Sequence, residues 1–214
     1  MPFNSMHRKN LILNVILNII DMNNTKHIIG ICGKRRSGKD VAANHLSDRY
    51  QFVNCKISQK LKQVCQILFG FSDDEIETTK DDMCEEWNIT PRRAMQFIGT
   101  EMMQFEIQKL LPGMQRNFWI KSMLESNFGK HERIVISDLR FVHEVEEIKR
   151  HIANTDTMFT VIRIDRPINR QSLHGADAHI SEQESNDIDV DVEVQNDGSL
   201  EDLLRKIDEL PVLL

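Results

Sequence analysis

The chain has 214 residues, 40% hydrophobic and 28% charged, with a formal net charge of −6. That length suits one domain with a sizeable core, and the acidic balance argues against a dedicated nucleic-acid binder, which would carry a basic face. Cys32, Cys55, Cys65 and Cys84 show no C-x-x-C spacing, so buried thiols in a reducing compartment fit better than disulfides or a zinc site.

Residues 1–26 read as an N-terminal extension, either dispensable or a short added helix. The apolar run Leu11–Ile20 is broken by Asn14 and Asn18. It is too short to span a bilayer as a helix and lacks a small-residue cleavage site. Met22 is an alternative start. From residue 27 to 214 the pattern reads as a single nucleotide-binding domain.

The apolar run 27–32 predicts a buried strand. It leads into Gly33-Lys34-Arg35-Arg36-Ser37-Gly38-Lys39-Asp40, a G-x-x-x-x-G-K loop. Val41, Ala42, His45, Leu46 and Tyr50 then recur at helical spacing. Strand, glycine loop and helix start together form an anion cradle, because backbone N–H groups turn inward and the helix adds its positive end. Lys39 is placed to reach the terminal phosphates of a nucleotide. Asp40 stands where Ser or Thr usually ligates magnesium. A carboxylate is also a hard ligand, so metal binding survives, directly or through water, with Arg35, Arg36 and Lys39 screening its charge.

A second strand is expected at about 52–56. Residues 71–90 are acidic, with Asp73, Asp74, Glu75, Glu77, Asp81 and Asp82 among them, and read as a solvated face. Thr90 and Pro91 predict a helix start, Thr90 as N-cap and Pro91 at the first helical position. With Arg92 and Arg93 this makes a second anion site. Met95, Ile98, Met102 and Phe105 mark the buried face of that helix, and Met95, Met102 and Met103 read as core packing.

The third strand, 133–137, leads to Asp138 and Arg140. An apolar strand ending in Asp beside a phosphate loop suits a magnesium-associated carboxylate, although Asp138 could equally cap the helix that starts near Phe141. Arg140 sits at the rim of the same cleft, where its fork can hold phosphate oxygens. Phe141, Val145, Ile148 and Ile152 predict the following helix. Strands at 158–164 and 189–194 flank the polar stretch 165–188, which reads as a lid. Arg163, Arg166 and Arg170 would serve that lid by closing over the transferring phosphoryl group. Ser199 and Asp202 predict the start of a last helix along Leu200, Leu203, Leu204 and Ile207. Strands alternating with helices imply an α/β fold, a parallel sheet covered on both faces.

Two anion sites in one chain are what phosphoryl transfer between two phosphorylated partners requires. Four blocks carry a resemblance: GKRRSGKD at 33–40, TPRRAMQFIGTE at 90–101, SDLRFVHE at 137–144, and HISE at 179–182 followed by NDGSL at 196–200. Over about residues 27–210 the chain resembles the deoxynucleoside-monophosphate kinase family of phages and large DNA viruses. The lysine–aspartate loop ending is usual there.

The resemblance implies a P-loop, adenylate-kinase-like core with strand order 2-3-1-4-5, ATP as donor, Mg2+ as cofactor and a deoxynucleoside monophosphate as acceptor. It places Gln96, Gly99, Thr100 and Glu101 near the acceptor, together with Thr90, Arg92, Arg93 and Arg140. It places His179 and Glu182 in the return segment of the lid. The chain would work in the cytoplasm (that of the host, if viral) on small molecules, with no nucleic-acid polymer or membrane as partner, and a homodimer is left open. Animal-type phosphomevalonate kinases share the loop and a Ser-Asp-x-Arg strand end, and a nucleotide-binding switch is the alternative from another class.

Overall fold

The computed structural model of the chain describes residues 26–167 and 184–213. The N-terminal extension up to residue 25, most of the expected lid, and with it Arg170, His179 and Glu182, lie outside the described residues.

Strand β1 (Lys26–Cys32) is buried from His27 onward, as a central strand of a sheet covered on both faces must be. It pairs in parallel with β3 (Arg133–Ile136) on one side and β4 (Thr157–Asp165) on the other. The short β2 (Val53–Asn54) adds outside β3, and β5 (Val192–Gln195) outside β4. The five strands run in the order 2-3-1-4-5, the arrangement the resemblance implied.

Side chains alternate along β1 and send apolar groups to both faces. Ile29 and Ile31 pack with Val135, Ile162 and Ile164 beneath helix α1 (Lys39–Tyr50) and, nearer the C-terminus, Leu203 and Ile207. Ile28, Ile134, Ile136 and Val161 pack on the opposite face. That face is covered by helices α2 (Gln59–Phe69), α5 (Phe118–Asn127) and α6 (Val142–Ile152). Helix α7 (Leu200–Asp208) starts as expected, with Ser199 and Asp202 forming a reciprocal capping box.

Three sequence expectations change here. Val41 is 40% exposed, and the buried stripe of α1 runs instead through Ala42, Ala43 and Leu46. The loop geometry sets the rotation of α1, and its alanines let it lie close to the sheet.

The helix after Thr90 is not one α-helix. Helix α3 (Asp73–Glu77) precedes it, α4 spans Pro91–Gln96, and Phe97–Phe105 then winds as a π-helix. Its wider turn moves the buried face to Ile98, Gly99, Thr100 and Gln104 and leaves Met102 and Phe105 exposed. Such windings often accompany functional sites.

Arg163 sits in β4, as the strand pattern placed it, but its side chain lines neither of the site's two clefts. It donates to the Ile188 carbonyl at 2.6 Å and the Asn186 carbonyl at 3.2 Å, tying residues 186–188 to the sheet.

Candidate active site

The phosphate loop leaves β1 at Gly33, where φ is +135°, and enters α1 after Gly38, where φ is +105°. Both are left-handed values that glycine adopts without strain. A Cβ at Gly33 would strike the Ile164 carbonyl, and one at Gly38 would crowd Asn196 and Leu203. Arg36 is also left-handed, with φ +63°. The Lys39 ammonium folds into the loop, donating to the carbonyls of Gly33 (2.8 Å) and Lys34 (2.7 Å). Asn196, from the NDGSL block, donates to the Ser37 carbonyl at 2.8 Å and so anchors the loop from beyond β5. Its position before the α7 cap gave no cue to that task.

Gly33, Arg36, Lys39 and Asp40 line a cleft above the carboxyl ends of the strands, where open α/β sheets bind ligands. Asp40 accepts a 2.8 Å bond from Lys56 and one of 3.4 Å from Ser137 Oγ. Burial works against its ionisation. The hydrogen bond from Lys56 and the charges of Lys56, Lys39 and Lys62 outweigh it and hold the carboxyl below its usual value. Asp40 is thus an anionic hard-oxygen group at the cleft, a fit for magnesium, which keeps several waters and takes few protein ligands.

A second cleft adjoins the first. Leu61, Met95, Trp119 and Phe141 form its apolar walls, and Gln96, Thr100, Gln104 and Glu144 its polar lining. Trp119 Nε1 donates to the Gly99 carbonyl at 2.9 Å, which sets the indole as a wall. Gly99 lacks a Cβ where one would meet Leu61.

The two clefts share Arg35, Lys62, Lys80 and Arg92, along with Arg140. Lys80 is pushed below the usual lysine value by burial and then by the charges of Arg92 and Lys62. Cations gathered this closely suit polyanions arriving from both sides. Neither Lys62 nor Lys80 carried a motif, and only the fold brings them to Arg35 and Arg92.

Several expected residues serve elsewhere. Thr90 caps α4, accepting from Arg93 N at 3.1 Å, and the Arg93 side chain turns to Glu101 at 3.0 Å. Neither Thr90 nor Arg93 lines either cleft. Arg166 is exposed at the carboxyl end of β4 and also lines neither.

Asp138 borders both clefts, but its carboxylate is engaged with the start of α2. It accepts from Ile57 N (2.9 Å), Ser58 N (3.0 Å) and Ser58 Oγ (2.6 Å). The carboxylate thus holds the turn that enters α2, not the start of the helix that follows Asp138 in the chain.

The cap of α6 comes from Glu144. Its Oε2 accepts from Arg140 N (2.8 Å) and Phe141 N (3.1 Å) and so fixes the turn that carries Arg140. Burial pushes the Glu144 carboxyl from 4.5 up to about 8, with Asp138 adding to the rise and the two backbone N–H groups and Arg140 opposing it. The folded chain therefore holds this proton more tightly than the unfolded one. The stabilisation is full at low pH and is lost as pH climbs from about 4.5 through about 8. Glu144→Gln, neutral at every pH, should melt closer to its pH 6 temperature at pH 9 than the native protein does. Equal losses in both proteins would show that Glu144 does not drive this pH dependence.

Comparisons with known proteins settle the family. A family model described as deoxynucleotide monophosphate kinase matches residues 70–207. A protein of Acanthamoeba polyphaga mimivirus, assigned as a deoxynucleotide monophosphate kinase, is 31% identical over 192 residues, covering 84% of this chain and 93% of its own. The chain belongs to the deoxynucleotide monophosphate kinase family. The deoxynucleotide monophosphate kinase of Enterobacteria phage T4 is 28% identical over 145 residues, which is 66% of this chain and 51% of the phage protein. Among solved structures, shikimate kinase from Aquifex aeolicus covers 84% of this chain and 93% of its own at 14% identity, with a TM-score of 0.44. As a member of this family the chain is a phosphotransferase with a phosphate group as acceptor. Among the described residues no helix is long and apolar enough to cross a membrane.

Proposed function

We propose that this kinase moves the γ-phosphoryl group of ATP onto the phosphate of a deoxynucleoside monophosphate, supplying diphosphates for deoxynucleoside triphosphate synthesis. One observation carries the reading: the phosphate-loop cleft and the second, apolar-walled cleft meet at Arg35, Lys62, Lys80 and Arg92. A donor polyphosphate held by residues 33–40 would end at that junction, and a nucleoside seated between Trp119 and Phe141 would present its own phosphate there.

The chain's part is to position the two phosphates and neutralise their charge, with no covalent intermediate on the protein. Backbone N–H groups of the loop hold the donor. Lys39 answers charge on the β- and γ-phosphates. Arg92 and Arg140 grip the acceptor phosphate, with Gln96 and Gly99 shaping its pocket. Magnesium, held by Asp40 directly or through water, would neutralise phosphate charge.

The test is ADP release in a coupled assay across the four common deoxynucleoside monophosphates, the ribonucleotides, hydroxymethylated dCMP and phosphomevalonate, with and without magnesium. Turnover on at least one deoxynucleotide, dependent on magnesium, is the expected result. Turnover on phosphomevalonate alone, or ATP hydrolysis indifferent to any acceptor, would replace this reading with one of its rivals.

A further inference from the structure

Asp81 lies in the acidic stretch that the sequence reads as a solvated face, yet it bridges the two halves of the site. Its Oδ2 accepts from Arg35 Nη2 at 2.9 Å and from Arg92 Nη2 at 3.0 Å, and its Oδ1 accepts from Arg92 Nε. Arg35 comes from the donor loop and Arg92 from α4 on the acceptor side, and both line both clefts. We propose that Asp81 is a positioning residue for phosphoryl transfer, holding Arg35 and Arg92 together with their remaining N–H groups available at the junction of the two clefts. The proposal rests on the kinase reading above.

Three observations support it. First, the carboxylate takes only one edge of the Arg92 fork, so an outer edge remains for a phosphate. Second, Asp81 is itself held. Thr79 N bonds the Asp74 carbonyl at 3.0 Å, Asp82 N the Thr79 carbonyl at 2.9 Å, and Arg92 N the Lys80 carbonyl at 2.9 Å. The carboxylate is therefore fixed to α3 and α4 through the backbone on either side of it. Third, Arg35 and Arg92 share the junction with Lys62 and Lys80; Glu77 answers Lys62 at 2.6 Å, and Asp81 is the carboxylate that bonds both arginines and offsets their mutual repulsion. The hydrogen bonds from Arg92 and then Arg35 keep the Asp81 carboxyl well below the usual carboxylate range, so it stays ionised.

The rival role is an internal competitor, a carboxylate that sits where a phosphate belongs and leaves when the acceptor arrives. The two roles predict opposite signs. Steady-state kinetics with ATP and the preferred deoxynucleotide would be measured for Asp81→Asn and Asp81→Ala. If Asp81 positions the arginines, KM for the acceptor should rise about tenfold and kcat should fall about tenfold or more. Asp81→Asn should also add little to the loss already caused by Arg92→Ala, because the two act through one contact. Asp81 is half exposed, so its ion pairs contribute little to stability and both variants should fold with near-native melting temperatures. An acceptor KM that falls, losses that add in full to those of Arg92→Ala, or kinetics unchanged in both variants would each overturn the proposal. Native protein that phosphorylates no deoxynucleotide would take the kinase reading down with it. An active native enzyme indifferent to Asp81 would overturn this inference alone.

Discussion

Lys39→Ala should lower kcat by about 10²–10³-fold, the scale seen when one preorganised group aimed at developing transition-state charge is removed. The ammonium lies inside the loop, between the carbonyls of Gly33 and Lys34 at 2.8 and 2.7 Å. A phosphate entering the loop finds that charge already in place, and no bulk cation replaces it with the same geometry. The fold should survive, because α1 is held to the sheet by Ala42, Ala43 and Leu46, and Lys39 is not part of that core. Circular dichroism should therefore match the native protein while turnover collapses. Lys39→Arg should not restore the rate, since a planar guanidinium cannot place a compact point charge between the Gly33 and Lys34 carbonyls as the ammonium does. Near-native kcat in Lys39→Ala, with a native spectrum, would remove the loop from the chemistry.

What could be read from the sequence follows the range of the interactions involved. Strands β1, β3 and β4 announce themselves as apolar runs because both faces of the sheet are covered. The loop at 33–40 is legible because its glycines answer a local backbone need. The caps at Thr90 and Ser199 are equally local.

The misreadings share the opposite character. Met102 and Phe105 fit an α-helical stripe, but the π-winding that exposes them arises where Trp119 reaches the Gly99 carbonyl. That contact spans a long stretch of chain. Asp81 reads as one acid among many until the fold carries it to Arg35. Arg163 and Arg93 look like phosphate ligands by residue type, and each is taken up by a nearer carbonyl or carboxylate. Arginine in a loop is thus a weak cue until its neighbours are known. Lys62 and Lys80 show the converse, cations without a motif that the fold delivers to the junction.

Asp138→Ala should unsettle both stability and binding, and it separates the two tasks the sequence left open for this residue. The carboxylate takes the N–H groups of Ile57 and Ser58 and the Ser58 hydroxyl, in the turn that leads into α2. Ile57 is buried, so water reaches its N–H poorly once the acid is gone. Leaving such a donor unpaired costs about 1–3 kcal/mol, and loss of the clamp should total about 2–4 kcal/mol in chemical denaturation. Helix α2 carries Ser58 and Lys62 into both clefts, so its loosened start should raise KM for ATP and for the deoxynucleotide together. Asp138→Asn keeps an acceptor oxygen but turns an amide toward a donor, and it should fall between the native protein and Asp138→Ala in both measures. A carboxylate that served magnesium instead would behave differently. Both variants would then need more magnesium for half-maximal rate while unfolding at the native denaturant midpoint. Magnesium titrations and urea curves on the same two variants therefore decide between a helix clamp at the cleft floor and a metal ligand.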